Sequence, residues 1–258
     1  RYPGHVQEER LLIIPHPEIL FIAGMVGLYL YDSALLLPGN EALLSPAFGG
    51  RWVAYFGSDA FPVRGRDPFL PNPLLPHRPL YRFSWITEGL VGPSRPWPAP
   101  RNVYASLAPF IWVMMMALFV AIPLGLFTGL GNLAVAAGIA LFYSTAMASL
   151  AVVWFRRKEY GLPARRFLSL AFEWLTCPPF ALNMVRHLSL ACSPREDLLA
   201  VVDQCLEGTR RVNALKQIAT RVRNEIDWED EGTLRARILT SHLQYLTRES
   251  DACQALNS

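Results

Sequence analysis

Charge is scarce in this sequence. Only 17% of its 258 residues are Asp, Glu, Lys or Arg, and 52% are hydrophobic, whereas about a quarter of an average soluble domain is charged. Lysine is nearly missing: of the 24 basic residues only Lys158 and Lys216 are not arginine, a bias that fits a GC-rich bacterial genome. The net charge of +3 supplies no basic surface of the kind nucleic acid requires, so nucleic acid is excluded as a partner. Four cysteines, Cys177, Cys192, Cys205 and Cys253, form no CxxC pair and have no histidines at ligand spacing. They read as idle thiols rather than a zinc site or a disulfide framework. A Gly-rich phosphate loop, HExxH, GxSxG and a DxD pair are all absent, so no motif announces a cofactor, a metal or an enzyme class. No short apolar stretch ends in a small-residue cleavage site, and no signal peptide is expected.

The apolar residues are concentrated in two runs. Phe110 to Thr128 has 19 residues without a charge and Leu133 to Phe155 has 23, each long enough at about 1.5 Å per residue to cross a hydrocarbon core of roughly 30 Å. Gly129, Leu130, Gly131 and Asn132 separate them, which forces an antiparallel hairpin. Pro123 and Gly125 can kink the first helix. In the second, Ala140, Ser144 and Ala148 recur every fourth position and Ala134 and Gly138 repeat that spacing. Such small-residue stripes pack helices closely in lipid, here within the hairpin itself or against a partner helix. Arg156, Arg157 and Lys158, followed by Arg165 and Arg166, flank the far end. By the positive-inside rule they hold that end in the cytoplasm, as does the arginine-rich stretch from Arg51 to Arg101.

The sequence therefore predicts a membrane protein of α+β class. A transmembrane helical hairpin (107–155) follows a β-rich cytoplasmic region (1–98); a basic linker with interfacial amphipathic helices (156–192) leads to a small cytoplasmic helical module (193–248). Ile19 to Leu37 is ambiguous. A third membrane segment competes with a β-hairpin in which Leu28 to Leu37 turns at Pro38-Gly39-Asn40 into Glu41 to Leu44, and the hairpin is favoured because Tyr31, Asp32 and Ser33 interrupt the apolar run. Further strands are expected at Arg51 to Phe56, Phe61 to Arg66 and Leu80 to Trp85. The proline-dense stretches Pro71 to Pro79 and Pro93 to Pro100 read as extended linkers.

After the basic cluster, Arg166, Ser169, Glu173 and Thr176 fall on one stripe of an otherwise apolar helix, which suits a membrane surface. Phe180 to Leu190 repeats the pattern, with Asn183, Arg186 and His187 on one side. Ser193, Pro194 and Glu196 form a capping box for the first helix of the C-terminal module, whose residues past Arg248 are expected to fray. The functional candidates are polar groups near lipid: Asp32, Glu173, Arg186 and His187. The hairpin carries no ionisable residue, so it offers no proton relay or charged filter. The leading expectation is a non-catalytic inner-membrane anchor or scaffold subunit that contacts membrane lipids and binds other membrane subunits or further copies of itself. Two rivals stand: an oligomeric channel or transporter component lined by Tyr143, Ser144 and Thr145, and a lipid-directed surface enzyme using Glu173, Arg186 and His187.

Overall fold

The computed structural model describes residues 17–85, 97, 103–128, 131–193, 196–228, 230 and 233–255. The stretch 93–100 apart from Trp97, the hairpin residues Gly129 and Leu130, and Pro194 of the expected capping box lie outside the described residues. The protein is predominantly helical with two small sheets, and two of its helical runs, Ala105–Phe127 and Gly131–Arg156, are long and apolar enough to cross a membrane.

The first run is not one uniform helix. A 3-10 turn (Ala105–Leu107) leads into α2 (Ala108–Met116), a π-helical turn (Ala117–Ala121) and α3 (Ile122–Phe127). The cause is Pro123, which lacks an N–H and whose ring collides with the carbonyl four residues back. The helix widens just upstream, and Ile122 N–H donates to the carbonyl of Ala117, five residues back. α4 (Gly131–Arg156) returns antiparallel and packs on α2, the π turn and α3. Its buried face is Gly138, Phe142, Ala146, Ser149, Leu150 and Val153. The expected small-residue stripe thus divides: Ala134 and Gly138 face the first helix, whereas Ala140, Ser144 and Ala148 are exposed and do not pack the hairpin.

The N-terminal region corrects the sequence reading. Leu28 to Ser33 is not a strand but the end of α1 (Pro17–Ser33), an apolar helix packed on α3 and on α6 (Pro178–Leu182). Tyr29, whose ring meets Phe119 edge-on at 5.7 Å, and buried Ser33 fix this helix against its neighbours, and such tertiary contacts override the strand propensity of Tyr29 and Tyr31. Only Leu35–Leu37 is left as β1, and it pairs with β4 (Asp67–Phe69), not with β2 (Glu41–Pro46). The turn at Pro38 does form, closed by Glu41 N–H on the Pro38 carbonyl at 3.0 Å, but it joins strands of different sheets. β2 is central in the second sheet, between β3 (Trp52–Tyr55) and β5 (Tyr81–Ser84), all antiparallel. Phe61 to Arg66 contributes only a tight turn bridged from Val63 to Arg66.

Pro71 to Pro79 is likewise not an extended linker. It makes successive turns, with Leu75 N–H on Asn72 and Arg78 N–H on Leu75, and Pro71, Pro76 and Pro79 are buried. α5 (Ala164–Thr176) is amphipathic as expected, burying Phe167, Leu170 and Trp174 and exposing Leu168 and Phe172. α6 and α7 (Met184–Ala191) are not surface helices: Leu182, Met184, Val185, Arg186, Leu188 and Ser189 are all buried. Ser193 does not cap the next helix. Its hydroxyl donates to the Ser189 carbonyl and receives the Arg82 N–H, stitching α7 to β5, while α8 (Leu198–Cys205) starts after Asp197. α9 (Thr209–Ile226) and α10 (Leu234–Ala255) pack together, and α10 continues as helix past Arg248. Arg221 of α9 pairs with Asp67 of β4, so this helical pair is fastened to the sheets. Buried residues from α1, the β2–β3–β5 sheet, the apolar hairpin and the C-terminal helices form one continuous core.

Candidate functional site: a buried polar junction

Three of the four polar candidates converge where α1 ends. The last turn of α1 supplies Tyr29, Asp32 and Ser33, the α6–α7 corner supplies Asn183, Arg186 and His187, and the loop after β4 supplies backbone carbonyls. Positions 183, 186 and 187 have the spacing of one helical face, which is why a single corner can aim all three at α1.

Arg186 is the centre. It is 3% exposed. Its Nη1 donates to Ser33 Oγ at 3.1 Å and Asn183 Oδ1 at 2.9 Å, and its Nη2 donates to the carbonyls of Asn72 at 2.7 Å and Leu75 at 3.3 Å. A guanidinium has five N–H donors in a planar fork, so four are used to hold together a helix end, a helix corner and a loop. The fifth, on Nε, is buried without an acceptor. Burial pushes the pKa of this group down, with Tyr29 and Asp32 acting in the opposite direction, yet an arginine stays protonated under such shifts.

Asp32 supplies the balancing charge. Asn183 Nδ2 donates to its Oδ2 at 2.8 Å, and His187 Nε2 lies 3.2 Å from its Oδ1. On the other side of the ring Trp174 Nε1 donates to His187 Nδ1 at 3.3 Å. An indole nitrogen can only donate, so Nδ1 accepts and Nε2 carries the proton toward Asp32. The tautomer of His187 is thereby set by its two neighbours, and neither ring nitrogen is left to take a proton from a substrate. Tyr29 completes the junction by donating to the Pro73 carbonyl.

Glu173 does not join the junction. It lies on the polar stripe of α5, where it accepts from Ser169 at 3.2 Å. The arginines at the hairpin base are engaged locally: Arg156 bonds Glu159 and reaches across to Ser106 Oγ at 2.6 Å, and Arg157 stacks 3.8 Å above the Trp154 ring. Lys158, Arg165 and Arg166 are exposed. Ser144 and Thr145 return their hydroxyls to their own helix, onto the carbonyls of Ala140 and Leu141 at 2.6 and 2.7 Å. Among the described residues no group of three His, Cys, Asp or Glu side chains is placed to hold a metal. Cys177, Cys192 and Cys205 are partly buried thiols outside any disulfide.

Sequence reading missed Tyr29, Ser33 and Trp174 as members of the junction, and placed Arg186 and His187 at the headgroup surface instead of inside the protein. The spacing of 183, 186 and 187 was visible; the α1 partners were hidden by the strand assignment. No family model, curated protein or solved structure matches this chain.

Proposed function

We propose that this chain is a non-catalytic anchor or scaffold subunit embedded in a bacterial cytoplasmic membrane. The observation that carries the reading is the bareness of the hairpin. Only 33% of the most apolar window of each long helix is buried, whereas a core helix of a soluble protein is buried nearly all round. Met116, Phe127, Leu133, Met147 and Phe155 are each more than half exposed, and hydrocarbon is the solvent that suits them. α1 extends this surface. Ile19, Leu20 and Phe21 are about half exposed, and the helix runs from the junction past Phe119 along α3, toward the hairpin tip.

With Arg156, Arg157, Lys158, Arg165 and Arg166 held in the cytoplasm, the tip near Asn132 and the start of α1 near Glu18 both face outward. That arrangement replaces the expectation that the whole region 1–98 is cytoplasmic. The scaffold role is supported by the use of Arg186 and His187 in internal bonds, which counts against a lipid-directed enzyme. The back-bonded Ser144 and Thr145 hydroxyls count against a polar pore lining. The exposed face of Ala140, Ser144 and Ala148 is where a partner helix or a second copy would pack.

Single cysteines placed in a cysteine-free chain at Glu18, Asn132 and Lys158 test the layout with a membrane-impermeant thiol reagent. Glu18→Cys and Asn132→Cys are expected to react from the outer face and Lys158→Cys only from the inner face. Reaction of Asn132→Cys and Lys158→Cys from one face refutes the spanning hairpin; reaction of Glu18→Cys from the inner face refutes the placement of α1 alone. Native mass spectrometry from membranes is expected to show bound protein partners or further copies, and a lone monomer refutes the scaffold role.

A further inference from the structure

α5 meets three surroundings at once. Phe167, Leu170 and Trp174 are buried against the protein, and Arg166, Ser169, Glu173 and Thr176 form its polar stripe. The third face is apolar and bare. Leu168 and Phe172 are 62% and 70% exposed, and exposed Arg165, at i, i+3 and i+7 spacing with them, stands on the border between this face and the polar stripe. Helices at a membrane surface carry this combination, with apolar side chains in the acyl layer and arginines whose long stems let the charge reach the headgroups.

Both ends of α5 are held to the basal half of the hairpin, the half next to the basic cluster. At its start Phe167 packs on Trp154 of α4, with ring centroids 5.1 Å apart; at its far end it leads into α6, which packs on α2 and on α1. Its bare face is continuous in charge and hydropathy with its surroundings. Phe155, at the end of α4, is 82% exposed, Arg157 lies 3.8 Å above the exposed Trp154 ring, and Lys158, Arg165 and Arg166 are exposed. The two acids of this stretch are already engaged: Glu159 pairs with Arg156 at 2.7 Å, and Glu173 accepts from Ser169. Arginines in the first turn of a helix oppose its dipole, so Arg165 and Arg166 do not stabilise α5 by themselves and suit anions outside it.

We propose that α5 and the turn before it dock on the cytoplasmic leaflet and select anionic phospholipids there. The headgroup phosphates meet Arg157, Lys158, Arg165 and Arg166, and the acyl chains meet Phe155, Leu168 and Phe172. This rests on the spanning hairpin proposed above and adds a lipid preference to it.

The test uses the full chain in nanodiscs of mixed phosphatidylcholine and phosphatidylglycerol, with spin-labelled forms of both lipids reporting their association. Phosphatidylglycerol is expected to be preferred, and high salt to reduce the preference. Lys158→Gln combined with Arg165→Gln is expected to lower it severalfold, with about fivefold per cation as the ceiling. Arg223→Gln combined with Arg237→Gln removes the same charge from exposed positions on α9 and α10 and is expected to leave the preference unchanged. In a cysteine-free chain, a nitroxide at Leu168→Cys is expected to meet oxygen dissolved in the acyl layer, and one at Ser169→Cys a water-soluble nickel chelate. No preference for phosphatidylglycerol, a preference that survives the Lys158 and Arg165 changes or falls equally with the Arg223 and Arg237 changes, or a label at Leu168→Cys as wet as that at Ser169→Cys, the result for a face that a protein partner covers, would each overturn the docking while Asn132→Cys and Lys158→Cys still react from opposite faces. Reaction of those two from one face refutes the hairpin and the docking together.

Discussion

Replacing Arg186 with methionine tests whether the junction is structural. Methionine keeps most of the side-chain length and removes the charge and every donor. The carbonyls of Asn72 and Leu75 lose their Arg186 donors, and each stranded buried acceptor costs about 1–3 kcal/mol. Asp32, 11% exposed at its side chain, loses its compensating cation, and removing one member of a buried charge arrangement costs about 3–5 kcal/mol. These terms overlap, so the expected loss is about 3–5 kcal/mol, a large part of a native stability of roughly 5–15 kcal/mol. Arg186→Lys keeps the charge but cannot reproduce the fork, and is expected to fall between.

Reversible unfolding in mild detergent, followed by tryptophan fluorescence, measures the differences. Two controls sharpen the result. Glu173→Gln lies outside the junction and is expected to stay within about 0.5 kcal/mol of the parent. The pair Asp32→Asn with Arg186→Met is expected to cost less than the sum of its parts by ~0.5–3 kcal/mol, because the two residues balance one another through Asn183. If Arg186→Met matched the parent within about 0.5 kcal/mol, the junction would not hold the fold, and its polar groups would have to be explained by another role.

Three further outcomes are expected. His77 packs against Trp112, with ring centroids 5.5 Å apart and the planes tilted by 41°. Its pKa is lowered from 6.5 by burial, then by Arg78 and Arg186. The unfolded chain therefore takes up this proton first, and stability is lost as pH falls below about 6.5 toward the lower native value; His77→Phe, which keeps an aromatic ring against Trp112, is expected to flatten the acid limb of a stability profile, and an unchanged limb would show that His77 does not set it. A side chain on Gly125 would put its Cβ 3.0 Å from both the backbone nitrogen and Cγ2 of Val135, so Gly125→Leu is expected to separate the hairpin at a cost of about 1–3 kcal/mol, read as lower resistance to unfolding in detergent. Ala140→Leu, on the exposed face of α4, is expected to leave monomer stability within about 0.5 kcal/mol while weakening association in crosslinking; association unchanged by this variant would remove that face as the docking surface.

The two long apolar helices, the β3 and β5 segments and the amphipathic α5 were legible because each is specified locally, by an uncharged run, by aromatic residues between Gly and Pro, or by helical periodicity. The errors share a different cause. Leu28 to Ser33 has strand-like composition and is helical because Tyr29 and Ser33 find partners at positions 119 and 183, far along the chain. Pro71 to Pro79 looked extended, but two of its carbonyls are acceptors for Arg186. Asn183, Arg186 and His187 were seen as one face, yet nothing local states that the face points inward. These three misses each involve a contact with Asn183 or Arg186.

Those contacts also answer a question posed by the apolar helices themselves. If the hairpin and α1 are embedded as proposed above, the hydrophobic effect does not favour one rotation or depth of α1 against the hairpin over another, since hydrocarbon tails are as apolar as the helices, and specificity must come from close packing and hydrogen bonds. α1 offers little packing relief of its own: its apolar residues are spread around the helix and only Tyr29 and Ser33 are buried. The geometry of Arg186 admits one depth, because moving α1 by a single residue takes Ser33 out of reach of Nη1 and Asp32 away from both Asn183 and His187. A buried charged junction thus fixes the register of a helix whose surface could not fix it, at the point where the apolar helices meet the rest of the protein.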